Sequence, residues 1–152
     1  LPGGEVLLID ESYNANPASM RAALALLGHA DVAARGRRIA VLGDMLELGP
    51  RGAELHRELS ETVLAQEVDL VFCCGPLMRA LWEALPPGRQ GGYAETSTAL
   101  EPQLFAAIQP GDAIMIKGSL GSRMAPIVKA LQSRYPRRAR GAEPRQVSTM
   151  NG

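Results

Sequence analysis

A chain of 152 residues with 46% apolar content is large enough to bury its own core and fits one domain. Lys plus Arg and Asp plus Glu stand at 16 each, so no net field draws the protein to nucleic acid, anionic lipid or an acidic partner, and any charge-based function is local. No apolar stretch approaches the roughly 20 residues that cross a bilayer, and the start lacks the pattern of a signal peptide.

The chain enters at Leu1 and passes through Pro2, Gly3 and Gly4 straight into a strand-like segment, which reads as a piece cut from a longer protein. Val6-Leu7-Leu8-Ile9 predicts a strand ending at Asp10; after a polar loop, Pro17 opens a helix with Met20, Ala23, Leu24 and Leu27 on one face, closed by Gly28. Ile39-Ala40-Val41-Leu42 repeats the strand and stops at Gly43. A loop to Gly52 then leads to a helix marked by Leu55, Leu59 and Val63. The third strand is Leu70-Val71-Phe72-Cys73-Cys74, followed by a helix that Pro76 opens and the Pro86-Pro87 pair ends. The adjacent cysteines sit in this apolar run, where they read as small buried hydrophobes in a reducing, cytoplasmic setting. A short segment near Tyr93 precedes a fourth helix around Leu104 to Ile108. Ala113-Ile114-Met115-Ile116 forms the last strand, reaching Lys117-Gly118-Ser119, and the final helix carries Ile127, Val128, Leu131 and Tyr135. From Pro136 the residues turn Arg-rich and polar, so the domain is expected over 1–135 and a disordered tail over 136–152.

Strands that are apolar throughout, alternating with amphipathic helices, are what a buried parallel sheet requires. The fold class is therefore α/β, an open and mostly parallel sheet with helices on both faces. Ligands of such sheets bind among the loops leaving the carboxyl ends of the strands. Three of those loops are polar.

The first, Asp10-Glu11-Ser12-Tyr13-Asn14-Ala15-Asn16-Pro17, gathers two carboxylates, a phenol and two carboxamides in one turn. Asn16 before Pro17 is a natural helix cap and Asp10 an ordinary strand terminator, but capping needs one such side chain and leaves Tyr13 and Asn14 unexplained. Carboxamides read base edges, a phenol packs on a base, and a carboxylate accepts from ribose hydroxyls, so a nucleotide is the expected ligand. The second loop, Gly43-Asp44-Met45-Leu46-Glu47-Leu48-Gly49, is followed by His56 on the next helix. Its glycines suit turns, its carboxylates suit solvent, and a lone flanking His is more often a packing or hydrogen-bonding residue than a catalyst. No Cys or second His accompanies Asp44 and Glu47, which argues against zinc. The third loop, Lys117-Gly118-Ser119-Leu120-Gly121-Ser122, sets a cation, a hydroxyl and backbone amides before a helix. It suits a carboxylate or phosphate, and equally a glycine-rich turn with a capping Ser.

The only lysines, Lys117 and Lys129, follow Ile and Val, so the chain holds no phosphate-gripping Gly-Lys-Ser or Gly-Lys-Thr loop. Nor does it hold the dinucleotide-binding Gly-x-Gly-x-x-Gly after its first strand, or the Gly-x-Ser-x-Gly elbow of the α/β-hydrolases.

In this order and spacing, Tyr13-Asn14-Ala15-Asn16-Pro17, then Val41-Leu42-Gly43-Asp44-Met45-Leu46-Glu47-Leu48-Gly49 with His56, then Lys117-Gly118-Ser119, the chain resembles the Mur ligases. Within that family it looks most like the member that joins D-alanyl-D-alanine to UDP-N-acetylmuramoyl-tripeptide in cell-wall synthesis. The resemblance runs from Glu5 to Tyr135; Glu11 departs from it, since the family usually carries Asp there. It implies a three-domain ATP-dependent amide ligase of which this is the C-terminal part. The missing N-terminal domain would hold the UDP-sugar, and the missing central domain the ATP phosphates and Mg²⁺. On that model Asp10, Glu11, Tyr13, Asn14 and Asn16 meet the adenine and ribose of ATP. Asp44, Glu47, Lys117 and Ser119 hold the dipeptide, with Lys117 and His56 as candidates for a catalytic role and no metal ligand in this domain. The piece alone is expected to be inactive. Other Mur or folylpolyglutamate-type ligases, and a freestanding nucleotide-binding or interaction module, are the alternative readings. Tripeptide-forming ligases resemble Tyr-Ala-His-x-Pro in the first loop, which this chain does not have.

Overall fold

The computed structural model describes residues 5–12, 14–32, 36–135 and 147–151. Its elements follow the expected alternation: β1 (Glu5–Glu11), α1 (Pro17–Gly28), β2 (Arg38–Gly43), α2 (Gly52–Ala65), β3 (Leu70–Cys74), α3 (Arg79–Ala84), β4 (Gln90–Ala94), α4 (Ser97–Ala107), β5 (Ala113–Lys117), α5 (Ala125–Arg134) and β6 (Val147–Asn151). The strands lie in the order β4-β3-β2-β5-β1-β6. The first five are parallel, and β6 runs antiparallel to β1.

Each strand residue faces one side of the sheet or the other, which is why the strands had to be apolar throughout. Ala40, Leu42, Val71, Cys73 and Met115 join Met20, Leu24 and Leu27 of α1, Leu59 and Val63 of α2 and Leu81 of α3 in one core. Their neighbours Ile39, Val41, Phe72, Ile114 and Ile116 join Leu100 and Leu104 of α4 and Ile127, Val128 and Leu131 of α5 in the other. Three helices thus cover one face and two the other. β5 is inserted between β2 and β1 from the opposite face, so the chain leaves neighbouring strands in opposite directions on either side of β5. The same divergence separates α3 from α4 at the β3–β4 boundary. Crevices open at such points above the carboxyl ends.

At the opposite end of the sheet Asp112, whose side chain is wholly enclosed, accepts from the Arg37 backbone N–H at 3.0 Å, the Gln109 N–H at 2.9 Å and the Arg37 guanidinium at 2.9 Å. That clamp anchors the entry to β5 beside β2 and leaves the carboxyl end for function.

Three local expectations change. Residues 76–78 form a turn and not helix, because the backbone there is held by a side chain from another loop, described below; α3 begins only at Arg79. α4 begins at Ser97, well before Leu104, because the Thr96 hydroxyl caps it by accepting from the Ala99 N–H, and the helix carries Pro102 inside it. The tail expected to be disordered over 136–152 is corrected in part: residues 147–151 pair with β1, where an uncovered strand edge offers free N–H and C=O groups to a β-prone Val-Ser-Thr-Met run. Residues 136–146 lie outside the described residues. No helix among the described residues is long and apolar enough to cross a membrane.

Candidate functional site

The three polar loops meet on one rim. β5 lies between β1 and β2, with Lys117 level with Glu11 on one side and Leu42 on the other, so the loops after these strands must leave the sheet side by side. Close approach is built into the strand ends. A Cβ on Gly118 would stand 2.5 Å from the Ser122 hydroxyl and 3.1 Å from the Gly43 Cα, which explains why glycine follows both β5 and the apolar run of β2.

Ser119 stitches the rim together. Its backbone N–H donates to the Asp44 carbonyl at 3.1 Å, and its hydroxyl oxygen accepts from the Leu46 N–H at 3.0 Å. The same hydroxyl points its proton toward the Ala15 carbonyl at 3.4 Å. One residue of the third loop therefore touches the other two. Lys117 makes a second link: its ammonium donates to the Asn14 carbonyl at 2.7 Å and stands 3.3 Å from the Glu11 carboxylate, with a side chain only 2% exposed. Its charge, expected to meet a substrate carboxylate, is here enclosed and matched by partners within the protein.

In the first loop, Asn16 caps α1: its side chain accepts from the Ser19 N–H at 2.8 Å, and the Ser19 hydroxyl accepts from the Asn16 N–H at 3.0 Å. Capping occupies the Asn16 side-chain oxygen and leaves its exposed NH₂ group free to donate. Asp10 uses one oxygen to accept from the Ser12 N–H at 3.0 Å and keeps the other. Asn14 is exposed. Tyr13 lies outside the described residues.

In the second loop, Asp44 is buried and reaches across to the turn after β3, accepting from the Leu77 N–H at 3.2 Å and the Met78 N–H at 2.8 Å. Gly75 makes room for it. Its φ of 108° suits only glycine, and a Cβ there would stand 2.5 Å from the Asp44 carboxylate. Burial raises the Asp44 pKa above the ordinary 3.8 in spite of those two donors. His56 is wholly buried; Nε2 accepts from the Met45 N–H at 2.9 Å and Nδ1 faces the Gly52 carbonyl at 2.6 Å. A carbonyl only accepts, so Nδ1 carries the proton and both ring nitrogens are spent on the loop. His56 thus supports the Met45 backbone from inside the fold. Glu47 is exposed, with a left-handed φ of 64°.

Beside this band lies a cleft of about 360 Å³, within the usual range for small-molecule sites, roughly 300–1,000 Å³. Asp44 and Leu46 line it from the loop after β2, Gly75 and Pro76 from the loop after β3, and Ser122 and Arg123 from the loop after β5. Glu95 and Thr96, between β4 and α4, and Ser97 and Thr98, in the first turn of α4, also line it. It sets two carboxylates, a guanidinium and several hydroxyls around one space. Of its residues only Asp44 was among the sequence candidates. Glu95 and Thr98 escaped notice because β4, Gln-Gly-Gly-Tyr-Ala, lacks the apolar run that marked the other strands, so no strand-end loop was read there. Arg123 directly follows the third loop, and its left-handed φ of 60° shows only in three dimensions.

Cys74 also lines the cleft, and burial pushes its thiol up to about 11 and that of Cys73 higher still. Both stay protonated at neutral pH, and the thiolate is the reactive form. Iodoacetamide labelling, followed by mass spectrometry at pH 7.5, is expected to be at least about 100-fold slower in the folded protein than in urea. Rapid labelling of either residue without denaturant would contradict the enclosure described.

An open, mostly parallel α/β sheet with a polar cleft among the loops at its strand ends defines the class of α/β domains whose ligands bind along that rim. The family model "Mur ligase, glutamate ligase domain" matches residues 3–120, and the chain belongs to that family. The UDP-N-acetylmuramoyl-tripeptide--D-alanyl-D-alanine ligase of Escherichia coli is 35% identical over 127 residues, covering 83% of this chain and 27% of that protein. Its counterpart in Bacillus subtilis is 34% identical over 128 residues, again with 82% of this chain and 27% of the relative. A crystal structure of MurF from Acinetobacter baumannii superimposes with a TM-score of 0.74 at 28% identity over 84% of this chain and 28% of that one. MurF from Thermotoga maritima in complex with ADP, 24% identical, shares the fold with a TM-score of 0.69 over 87% of this chain and 29% of that one. The chain thus spans little more than a quarter of the length of the curated relatives it matches.

Proposed function

We propose that this chain is the C-terminal domain of an ATP-dependent ligase that forms an amide bond between D-alanyl-D-alanine and the terminal carboxylate of UDP-N-acetylmuramoyl-tripeptide. The observation that carries the reading is the cleft, whose acidic side, Asp44 and Glu95, stands with Arg123 around one small space. A free dipeptide is a zwitterion, and that arrangement offers a partner to each of its ends. Arg123 takes the carboxylate, and Glu95, with the outer face of Asp44, orients the ammonium; Glu47 lies farther out on the same loop. Ser119 then shapes the cleft floor through its bonds to Asp44 and Leu46 and does not itself hold the dipeptide.

The loop after β1, with Asp10, Tyr13 and Asn14, faces the adenosine of ATP. ATP supplies the phosphoryl group that activates the acceptor carboxylate, and that chemistry belongs to the domains beyond this chain. The Mg²⁺ that accompanies ATP in such a ligase is assigned, with the phosphates, to the central domain. What this domain supplies is alignment of the attacking amine, and alignment alone is worth on the order of 7 kcal/mol in well-oriented cases. Closure of the domain over the other two delivers it. A cytoplasmic location accords with a nucleotide-linked substrate.

The test is a coupled ADP-release assay. Full-length enzyme carrying this domain is expected to release ADP only when UDP-N-acetylmuramoyl-tripeptide and D-alanyl-D-alanine are both present. The isolated 152-residue chain, which has no phosphate-gripping loop, is expected to release none. ADP release by the pure fragment, or a full-length enzyme indifferent to the dipeptide, would overturn the reading.

A further inference from the structure

We propose that Lys117 is a positioning residue, a buried brace that holds the loop after β1 in register with the loop after β2 and touches neither substrate. The inference rests on the assignment of the first loop to nucleotide and of the cleft to the acceptor amine.

Lys117 is the last residue of β5 and is inserted between β1 and β2. Its ammonium, 2.7 Å from the Asn14 carbonyl and 3.3 Å from the Glu11 carboxylate, fixes the backbone immediately before Ala15 and Asn16. Two residues onward Ser119 grips Asp44 and Leu46, and its hydroxyl reaches the Ala15 carbonyl. The stretch from Lys117 to Ser119 is therefore a short rigid piece bonded to both loops. A buried, paired ammonium is no bargain for stability, since an apolar side chain of similar volume usually packs as well or better. What the charge adds is direction: it pulls a carbonyl and a carboxylate of one loop to a fixed point on β5. Lys117 does not line the cleft, which separates it from Arg123.

A double-mutant cycle in the full-length enzyme tests this with Lys117→Met, Glu11→Gln and the pair. If Lys117 braces the first loop, each single change raises the KM for ATP about tenfold, and the double variant is no worse than the poorer single, because the two partners form one interaction. Lys117→Arg should recover part of the loss. If Lys117 instead grips the dipeptide, Lys117→Met raises the KM for D-alanyl-D-alanine alone and Glu11→Gln leaves the KM for ATP unchanged; either result overturns the brace. Should Lys117→Met fail to fold, hydrogen exchange over residues 14–19 in Glu11→Gln decides, since loss of a direct ATP contact would not alter it in the free enzyme. Amide hydrogen exchange over residues 14–19 depends on no substrate and separates failure of the brace from failure of the assigned reaction. Faster exchange in the variants supports the brace even if the enzyme ignores the dipeptide, and unchanged exchange refutes it even if the enzyme uses it.

Discussion

Replacing Arg123 with alanine in the full-length enzyme is expected to raise the KM for D-alanyl-D-alanine about 10- to 100-fold while leaving the KM for ATP within about twofold, since a charge-assisted hydrogen bond is worth about 1.5–3 kcal/mol. With Lys117 enclosed, Arg123 is the cationic side chain lining the cleft, and it is exposed and available to a carboxylate. Lysine at this position keeps a charge without the planar fork and should recover only part of the affinity. The backbone provides a control. At φ 60° Arg123 occupies a left-handed conformation that costs a side chain roughly 1 kcal/mol and costs glycine nothing. Arg123→Gly should therefore match Arg123→Ala in dipeptide KM but exceed it in thermal stability. Should both variants keep the wild-type dipeptide KM, the guanidinium does not read the carboxylate and the orientation assigned to the dipeptide is wrong.

The second large effect is expected at Asp44. Removing its carboxylate leaves the Leu77 and Met78 N–H groups without partners at the lip of the cleft, and each buried unsatisfied group costs about 1–3 kcal/mol. Asp44→Ala should destabilise the turn after β3 by about 3 kcal/mol, partly recovered as water enters. Hydrogen exchange at Leu77 and Met78 should accelerate by about 100-fold. Asp44→Asn retains one oxygen acceptor and should lose roughly half as much. The pH dependence has a definite sign. Because burial raises the folded pKa above 3.8, the folded state binds the proton more tightly than the unfolded one. Stability from this group is fully present below the unfolded pKa and is lost as pH rises through the raised folded value. Asp44→Asn should abolish that component, and an unaltered pH–stability profile between wild type and Asp44→Asn would show that Asp44 titrates as an ordinary surface carboxylate.

His56 and Ser119 hold the loop after β2 through their hydrogen bonds, and if that is their whole part their loss should move kcat and both KM values together rather than one selectively.

The rim was legible in the residues alone, for a physical reason. A strand buried on both faces must be apolar throughout, so its end is marked wherever polar residues begin, and the loops at Asp10, Gly43 and Lys117 announced themselves in that way. β4 did not, because Gly91 and Gly92 lie against the Phe72 ring and have no side chains to signal a strand. With that strand unread, the whole Glu95 side of the cleft stayed invisible.

The pattern of apolar runs and helical spacing was enough to determine the parallel α/β class, every strand up to β5 except β4, and the rim where three polar loops emerge, because burial on two faces is a local demand on each segment. Which polar side chains are spent on contacts within the protein was decided only by the tertiary structure. Lys117, Asp44, His56 and Asn16 carry the same chemistry whether they meet a substrate or a backbone amide, and the choice depends on which strands become neighbours. The insertion of β5 between β1 and β2 sets that adjacency, and it is a long-range outcome of packing that no local run of residues encodes.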